Sequence, residues 1–178
     1  MGSMGAAAIF RADKLQRKGA AAMARHALRD GKPVPNAVPG APPPEVLAGS
    51  SSSRELVTRL DTLIAAAKAA GQVYRSNNVA VMDMLFTTSH GALKSKTDQD
   101  SYFQHCLAWI RSKWPTAEIL AAPVHRDETT SHMQVLMAPL DERGYFNAKK
   151  LMGGPAAFGH HQDDFWEECG KPFGLERG

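Results

Sequence analysis

Residues 125–134 read HRDETTSHMQ, and the chain continues VLMA to position 138. Side chains alternate faces along a strand, so His132, Gln134, Leu136 and Ala138 point one way and Met133, Val135 and Met137 the other. Two ligand-type polar side chains thus open a strand whose reverse face is apolar. The preceding AEILAAPVH (117–125) is also strand-like and ends on His125; Pro123 inside it predicts a bulge or an edge position. Residues 126–131 are polar enough to turn the chain, so a hairpin sets His125 beside His132 and Gln134. Two imidazole nitrogens and an amide oxygen suit a divalent cation with positions left open for a substrate oxygen. Asp127 and Glu128 are close enough to hold the ligands or to act as a base. On the residues alone, a hydrogen-bonded hairpin with structural histidines stays open beside the metal reading.

Working outward, NVAVMDMLFTTS (78–89) is rich in β-branched and apolar residues and predicts a buried strand. Ser52 and Glu55 form a capping box, behind which Leu56, Leu60, Leu63, Ile64 and Ala67 repeat at helical period until Gly71. Thr97 is placed as the cap of another helix, with Phe103, Cys106, Leu107, Ile110 and Trp114 as its inward stripe before Pro115. AAAIFRA (6–12) predicts a first strand and 13–30 an Ala-rich helix, on which Lys18, Arg25, Arg29 and Lys32 share one side. A last helix is expected over about 156–169. Residues 31–53 carry six of the eleven prolines and end on four serines, which predicts a long loop. The sum is an α+β fold, a mostly antiparallel central sheet with flanking helices.

A chain of 178 residues, 43% hydrophobic, builds one domain with a core that needs no disulfide. The opening MGSMG resembles a cloning remnant (1–3) before a second start at Met4, leaving 4–178 as the domain. No apolar run is long enough to span a bilayer, so no membrane contact is expected from this segment. Cys106 and Cys169 lie outside any CxxC pattern, which fits free thiols in a reducing cytoplasm. Net charge is +3, but residues 1–75 hold 11 Lys/Arg against 5 Asp/Glu and residues 76–178 hold 10 against 13. A basic first half suits a phosphate-rich partner, with Arg11, Lys14, Lys18, Arg25 and Lys32, and later Lys149 and Lys150, as candidate contacts. HHQDDFWEEC (160–169) spaces His160, Asp164 and Glu168 by helical turns, but reads as an acidic solvent-facing helix rather than a second metal site.

HRDETTSHMQ resembles the HxDExTPHMH signature of the Mob/Pre (MobV-type) plasmid mobilization relaxases of the His–hydrophobe–His endonuclease superfamily. ARHALRD (24–30) is similar to that family's His-Asn-x-Arg motif, NNVAVMDMLFTTS (77–89) to its second block, and FGLERG (173–178) to its Gly-Phe-x-x-x-Arg-Gly close. The resemblance implies a relaxase-type nuclease fold and a site-specific single-strand DNA endonuclease that nicks a plasmid transfer origin. It further implies His26 as the nucleophile that keeps the 5′ end, Arg29 as a phosphate-holding residue, and Glu128 as the group that orients His26 or takes its proton. His125, His132 and Gln134 would hold Mn²⁺ or Mg²⁺, with Asp127 behind them. Single-stranded or hairpin origin DNA is the implied partner, other mobilization proteins further ones, and the bacterial cytoplasm the implied location. The chain departs from the pattern at Gln134, Ser131 and Ala27. Those departures keep three alternatives in view: a rolling-circle replication initiator, a transposase-like nickase, or a DNA-binding module of the same fold without cleavage.

Overall fold

The computed structural model describes residues 5–31 and 34–178. Their order is β1 (Ala7–Gln16), α1 (Arg17–Leu28), β2 (Glu45–Gly49), α2 (Ser53–Ala69), β3 (Val79–Thr88), α3 (Lys96–Lys113), β4 (Glu118–His125), β5 (His132–Ala138), α4 (Ala148–Met152) and α5 (Pro155–Phe165). A π-helical turn, Trp166–Gly170, a short 3-10 turn, Lys171–Phe173, and β6 (Glu176–Arg177) follow. The strands form one sheet in the order β2-β4-β5-β3-β1-β6. Every pairing is antiparallel except β6 on β1, so the expected α+β architecture holds.

Strand alternation divides the sheet into two differently covered faces. Phe10, Met82, Met84, Phe86, Met133, Val135 and Met137 pack against the α3 stripe and Phe165 of α5. Phe10 and Phe86 stack with centroids 4.9 Å apart, so both are core rather than platforms for DNA bases. The opposite face carries Val81, Leu136 and Ala138 under α1 and α2, whose Ala20, Ala24, Ala27, Leu56, Leu60 and Ile64 complete a second core. With both faces covered, β5 is buried along almost its whole length. The end of the sheet that carries His132 also carries Thr87 and Thr88, and there Tyr102 of α3 donates to the Thr87 carbonyl.

Several boundaries differ from the sequence expectation. β1 runs on to Gln16, so Lys14 lies on a strand; extended pairing with β3 as far as Val79 outweighs the helical period of the basic residues. Within 31–53 an edge strand forms, β2 on β4; Gly49 (φ 77°) permits it, because a Cβ there would lie 2.3 Å from the Leu120 carbonyl. β4 is therefore not an edge; Pro123, opposite Val46, adjoins the irregularity in its pairing with β2, while the pairing with β5 shifts register between Ile119 and Ala121. The α3 cap is Ser95, whose side chain accepts from Asp98 N, two residues before the Thr97 expected. The Ser52 cap stands as read, accepting from Glu55 N. Lys32 lies outside the described residues.

The turn after β5 is held by one carboxylate. Asp141 is 3% exposed and accepts from the backbone N–H groups of Arg143 and Tyr145 and from the Arg143 and Asn147 side chains. Burial alone would raise this carboxyl, but the hydrogen bonds prevail and hold it well below the usual carboxylate range. A depressed folded-state pKa contributes stability above the unfolded value, near ~4, and the contribution is lost as pH falls below it. Urea unfolding of wild type and Asp141→Asn should therefore diverge at neutral pH, and the gap should narrow progressively as pH is lowered below about 4. Phe86→Ala should cost about 3–5 kcal/mol in the same assay at neutral pH.

Candidate functional site

His125 and His132 are directly opposed across the β4–β5 pair, with ring centroids 4.7 Å apart and planes at 81°. His125 Nδ1 stands 2.8 Å from His132 Nε2. Each outer nitrogen is spoken for: His125 Nε2 is 2.6 Å from the Ala27 carbonyl and His132 Nδ1 is 3.1 Å from the Thr130 carbonyl. A carbonyl can only accept, so both outer nitrogens carry hydrogen, and when both rings are neutral both facing nitrogens present lone pairs. Two lone pairs at that distance repel unless an electrophile sits between them. Adjacent ligands at right angles, each roughly 2.1 Å from one ion, stand roughly 3 Å apart, so the pair has the geometry of two neighbouring ligands. His125 is 1% exposed, and burial lowers its pKa to about 4, keeping the ring in the neutral form that a cation requires. The donor set fits a divalent metal.

Gln134 follows on the same face and is 8% exposed. Its amide nitrogen donates to Asp83 Oδ1 at 2.9 Å and approaches Met23 Sδ at 3.3 Å. Asp83 lies mid-β3, opposite Asp13 of β1. Burial raises its carboxyl, as does Asp13, while the hydrogen bond from Gln134 and the nearby His26 oppose the shift. His26 is exposed on the last turn of α1.

α1 ends at Arg29, the one non-glycine residue with positive φ (55°) among those described. Its guanidinium makes a two-pronged contact with Asp127, Nε to Oδ2 at 2.8 Å and Nη2 to Oδ1 at 3.1 Å. Nη2 also reaches Glu128 Oε1 at 2.8 Å, and Nη1 the His26 carbonyl at 2.9 Å. Hydrogen bonding to Arg29 holds Asp127 below the usual carboxylate range. Arg29 thus ties the helix carrying His26 to the 126–131 loop, with four of its five N–H donors on protein groups. Glu128 meets Arg29; no hydrogen bond joins it to His26 among the described residues. Beside His132 opens a cleft of about 640 Å³, lined by Asn36, Leu85, Thr87, Thr88, Glu128, Thr129 and Thr130. The proline-rich segment closes one side, Val38 N donating to the Asp127 carbonyl.

The basic residues divide by face. Arg11 pairs with Leu85 and is exposed on the histidine side; Lys18 and Arg25 are exposed on α1. Lys14 lies against Met82, Met152 and Phe158 on the reverse face. Lys149 and Lys150 stand on α4, whose Ala148 and Met152 belong to that same far core. The 160–169 cluster forms no metal site: Asp164 accepts from Trp109 Nε1 and Lys113 Nζ, and no group of three His, Cys, Asp or Glu converges among the described residues. Asp83, Asn36, Met23 and the two carbonyls escaped the sequence reading. Only Asp83 gave a signal, as the single acid within the apolar strand VAVMDMLF.

The family described as plasmid recombination enzyme (Mob_Pre) matches residues 4–178. The plasmid recombination enzyme type 3 of Staphylococcus aureus is 29% identical over 107 residues, 58% of this chain and 26% of that protein. A 65 kDa protein of Zymomonas mobilis subsp. mobilis is 27% identical over 176 residues, 96% of this chain and 30% of that protein. The chain therefore spans about a quarter of the length of the curated relatives it matches. Among solved structures, the Mn-bound MobM relaxase domain on plasmid pMV158 oriT DNA superposes with a TM-score of 0.84 at 18% identity, covering 97% of this chain and 90% of that one. A second, with 26-nucleotide oriT DNA, gives 0.74 at 17% identity, covering 97% and 91%. At such identities the likeness establishes a shared fold. With a family match that runs from Met4 to the last residue, this chain belongs to the Mob_Pre plasmid recombination enzymes.

Proposed function

We propose that residues 4–178 act as a metal-dependent DNA relaxase domain that nicks one strand of a plasmid transfer origin in the bacterial cytoplasm. The observation that carries the reading is the pair of facing imidazole lone pairs, with the helix bearing His26 pinned to one of the two rings. Family membership and the MobM fold, solved with Mn and oriT DNA, support it. No helix among the described residues is long and apolar enough to cross a membrane.

His125 and His132, with the oxygen of Gln134, would hold Mn²⁺ or Mg²⁺, which supplies Lewis-acid polarisation of a non-bridging phosphate oxygen when bound. Against that phosphate, neutral His26 attacks phosphorus; a P–N bond forms, the P–O3′ bond breaks, and the 5′ strand stays on the protein as a phosphoramidate. The leaving oxygen ends as a 3′-hydroxyl, and the proton shed by the imidazole passes to Glu128 or to solvent. Arg29 sets where these groups stand: it grips Asp127, Glu128 and the His26 carbonyl together. Arg11, Lys18 and Arg25 would track the phosphates of a single strand.

Incubating the protein with Mn²⁺ and supercoiled plasmid bearing the origin of its own replicon should yield nicked circles and a denaturant-resistant protein–DNA adduct. His26→Ala should lose the adduct while retaining DNA affinity, and an undiminished adduct removes His26 from the chemistry. Binding to a random-sequence single-stranded oligonucleotide, followed by anisotropy, should weaken linearly in log salt by roughly 0.7 per phosphate neutralised. Alanine at Arg11, Lys18 or Arg25 should each flatten that slope, while Lys149→Ala leaves it unchanged. A slope indifferent to all four rules out the histidine side as the DNA face.

A further inference from the structure

We infer that Asp83 is a positioning residue that fixes the Gln134 side chain with its oxygen toward the histidine pair and its nitrogen away from it. The inference rests on the metal reading of His125 and His132 and adds a requirement that the ligands alone do not reveal. A glutamine amide has two ends of nearly the same shape and opposite character. The oxygen can ligate a cation, whereas the NH₂ end presents two hydrogens to it. An imidazole, as the related motif carries here, can move its proton between its two nitrogens, whereas an amide cannot exchange its oxygen and NH₂ ends without rotating. A chain with Gln134 therefore needs something to choose the end.

The surroundings of Gln134 supply that choice. Its nitrogen is taken up by Asp83 Oδ1 at 2.9 Å and by the Met23 thioether at 3.3 Å. An ionised carboxylate accepts and cannot donate, and a thioether is likewise an acceptor, so both hold the NH₂ end. The direction is set by register. Thr87 is opposite His132, Leu85 opposite Gln134, and Asp83 opposite Leu136. Asp83 thus lies on the far side of Gln134 from His132, and the end that it does not take is the one left for the histidines. The position is costly for a carboxylate. Asp83 is half-buried, and Asp13 faces it directly across the β1 pair. Like charges directly opposed destabilise a sheet, and burial of a charge needs a partner. The hydrogen-bond partner that Asp83 has is Gln134.

Mn²⁺ alone, titrated into the full chain and followed by calorimetry, tests this without turnover. Asp83→Ala should weaken Mn²⁺ binding by about 10–100-fold, the usual effect of removing a residue that orients a ligand. Gln134→Ala should weaken it similarly. The double variant separates the mechanisms: an Asp83 that acts through Gln134 costs nothing further once Gln134 is gone. If the two losses multiply instead, Asp83 acts by its own charge on the cation and the positioning role is wrong. Wild-type Mn²⁺ affinity in Asp83→Ala, with a lowered melting temperature, likewise overturns the proposal by showing a purely structural residue. His132→Ala distinguishes this failure from that of the underlying reading, because undiminished Mn²⁺ binding there means that the histidine pair is not the metal site. Should the alanine variant not fold, Asp83→Leu, which keeps the volume among apolar neighbours, takes its place in the same cycle with the same expectation.

Discussion

The contact on which the arrangement turns is the 2.6 Å hydrogen bond from His125 Nε2 to the Ala27 carbonyl. It joins the last turn of α1 to the end of β4, and so brings two stretches 98 residues apart to one place. It also decides chemistry: with Nε2 holding the hydrogen, Nδ1 is left bare toward His132. A helix's final carbonyls have no partner inside the helix, and here one of them is satisfied by the ring it orients. The same interaction thus closes a helix end, sets a tautomer and brings the last turn of α1, which carries His26, to the end of β4.

Composition explains why the helix can come so close. Ala20, Ala24 and Ala27 recur at four and three residues and are all essentially buried, so α1 meets the sheet with methyl groups where larger side chains would lift it away. Arg29 then takes the left-handed conformation at the helix end and turns back on the 126–131 loop. Left-handed backbone is costly for a residue with a Cβ; four hydrogen bonds to Asp127, Glu128 and the His26 carbonyl offset it. The Ala27 departure from the family's Asn is consistent with this packing, because the side chain at 27 is fully buried while only its carbonyl does work at the site.

Much of this was legible in the sequence, because the signals concerned were local. The alternation from His132 to Ala138 is reproduced face by face, the even positions against α1 and α2 and the odd ones against α3. The hairpin that juxtaposes His125 and His132 needed only a polar turn between two strands. What escaped depends on long-range pairing. β2 forms inside a proline-rich segment because β4 offers an edge and Gly49 can lie against Leu120. β1 outruns its apolar stretch because β3 is long enough to pair with it. That lengthening turns Lys14 to the reverse face. Arg29 read as a phosphate ligand because a motif gives spacing but not the company a guanidinium keeps.

The charges around the histidine pair bear on how such a site meets DNA. On the proposed reading its ligands, His125, His132 and Gln134, would bind the ion as neutral groups, while Asp13, Asp83, Asp127 and Glu128 surround them with carboxylates, of which Arg29 offsets one charge and Arg11 lies further out on the same face. Without a cation this is a poor place for a phosphate, since like charges in a partly desolvated cleft repel more strongly than in water. A divalent ion among neutral ligands keeps its full charge and cancels most of that local negative charge. On the proposed reading, neutral ligands with acidic neighbours would make substrate binding at this point conditional on the metal, while the basic residues of α1 and β1 would hold the strand regardless. Had Gln134 been an aspartate, the ion would be held more tightly and its charge largely spent on the protein. An amide oxygen, oriented by a carboxylate one step removed, leaves that charge for the phosphate.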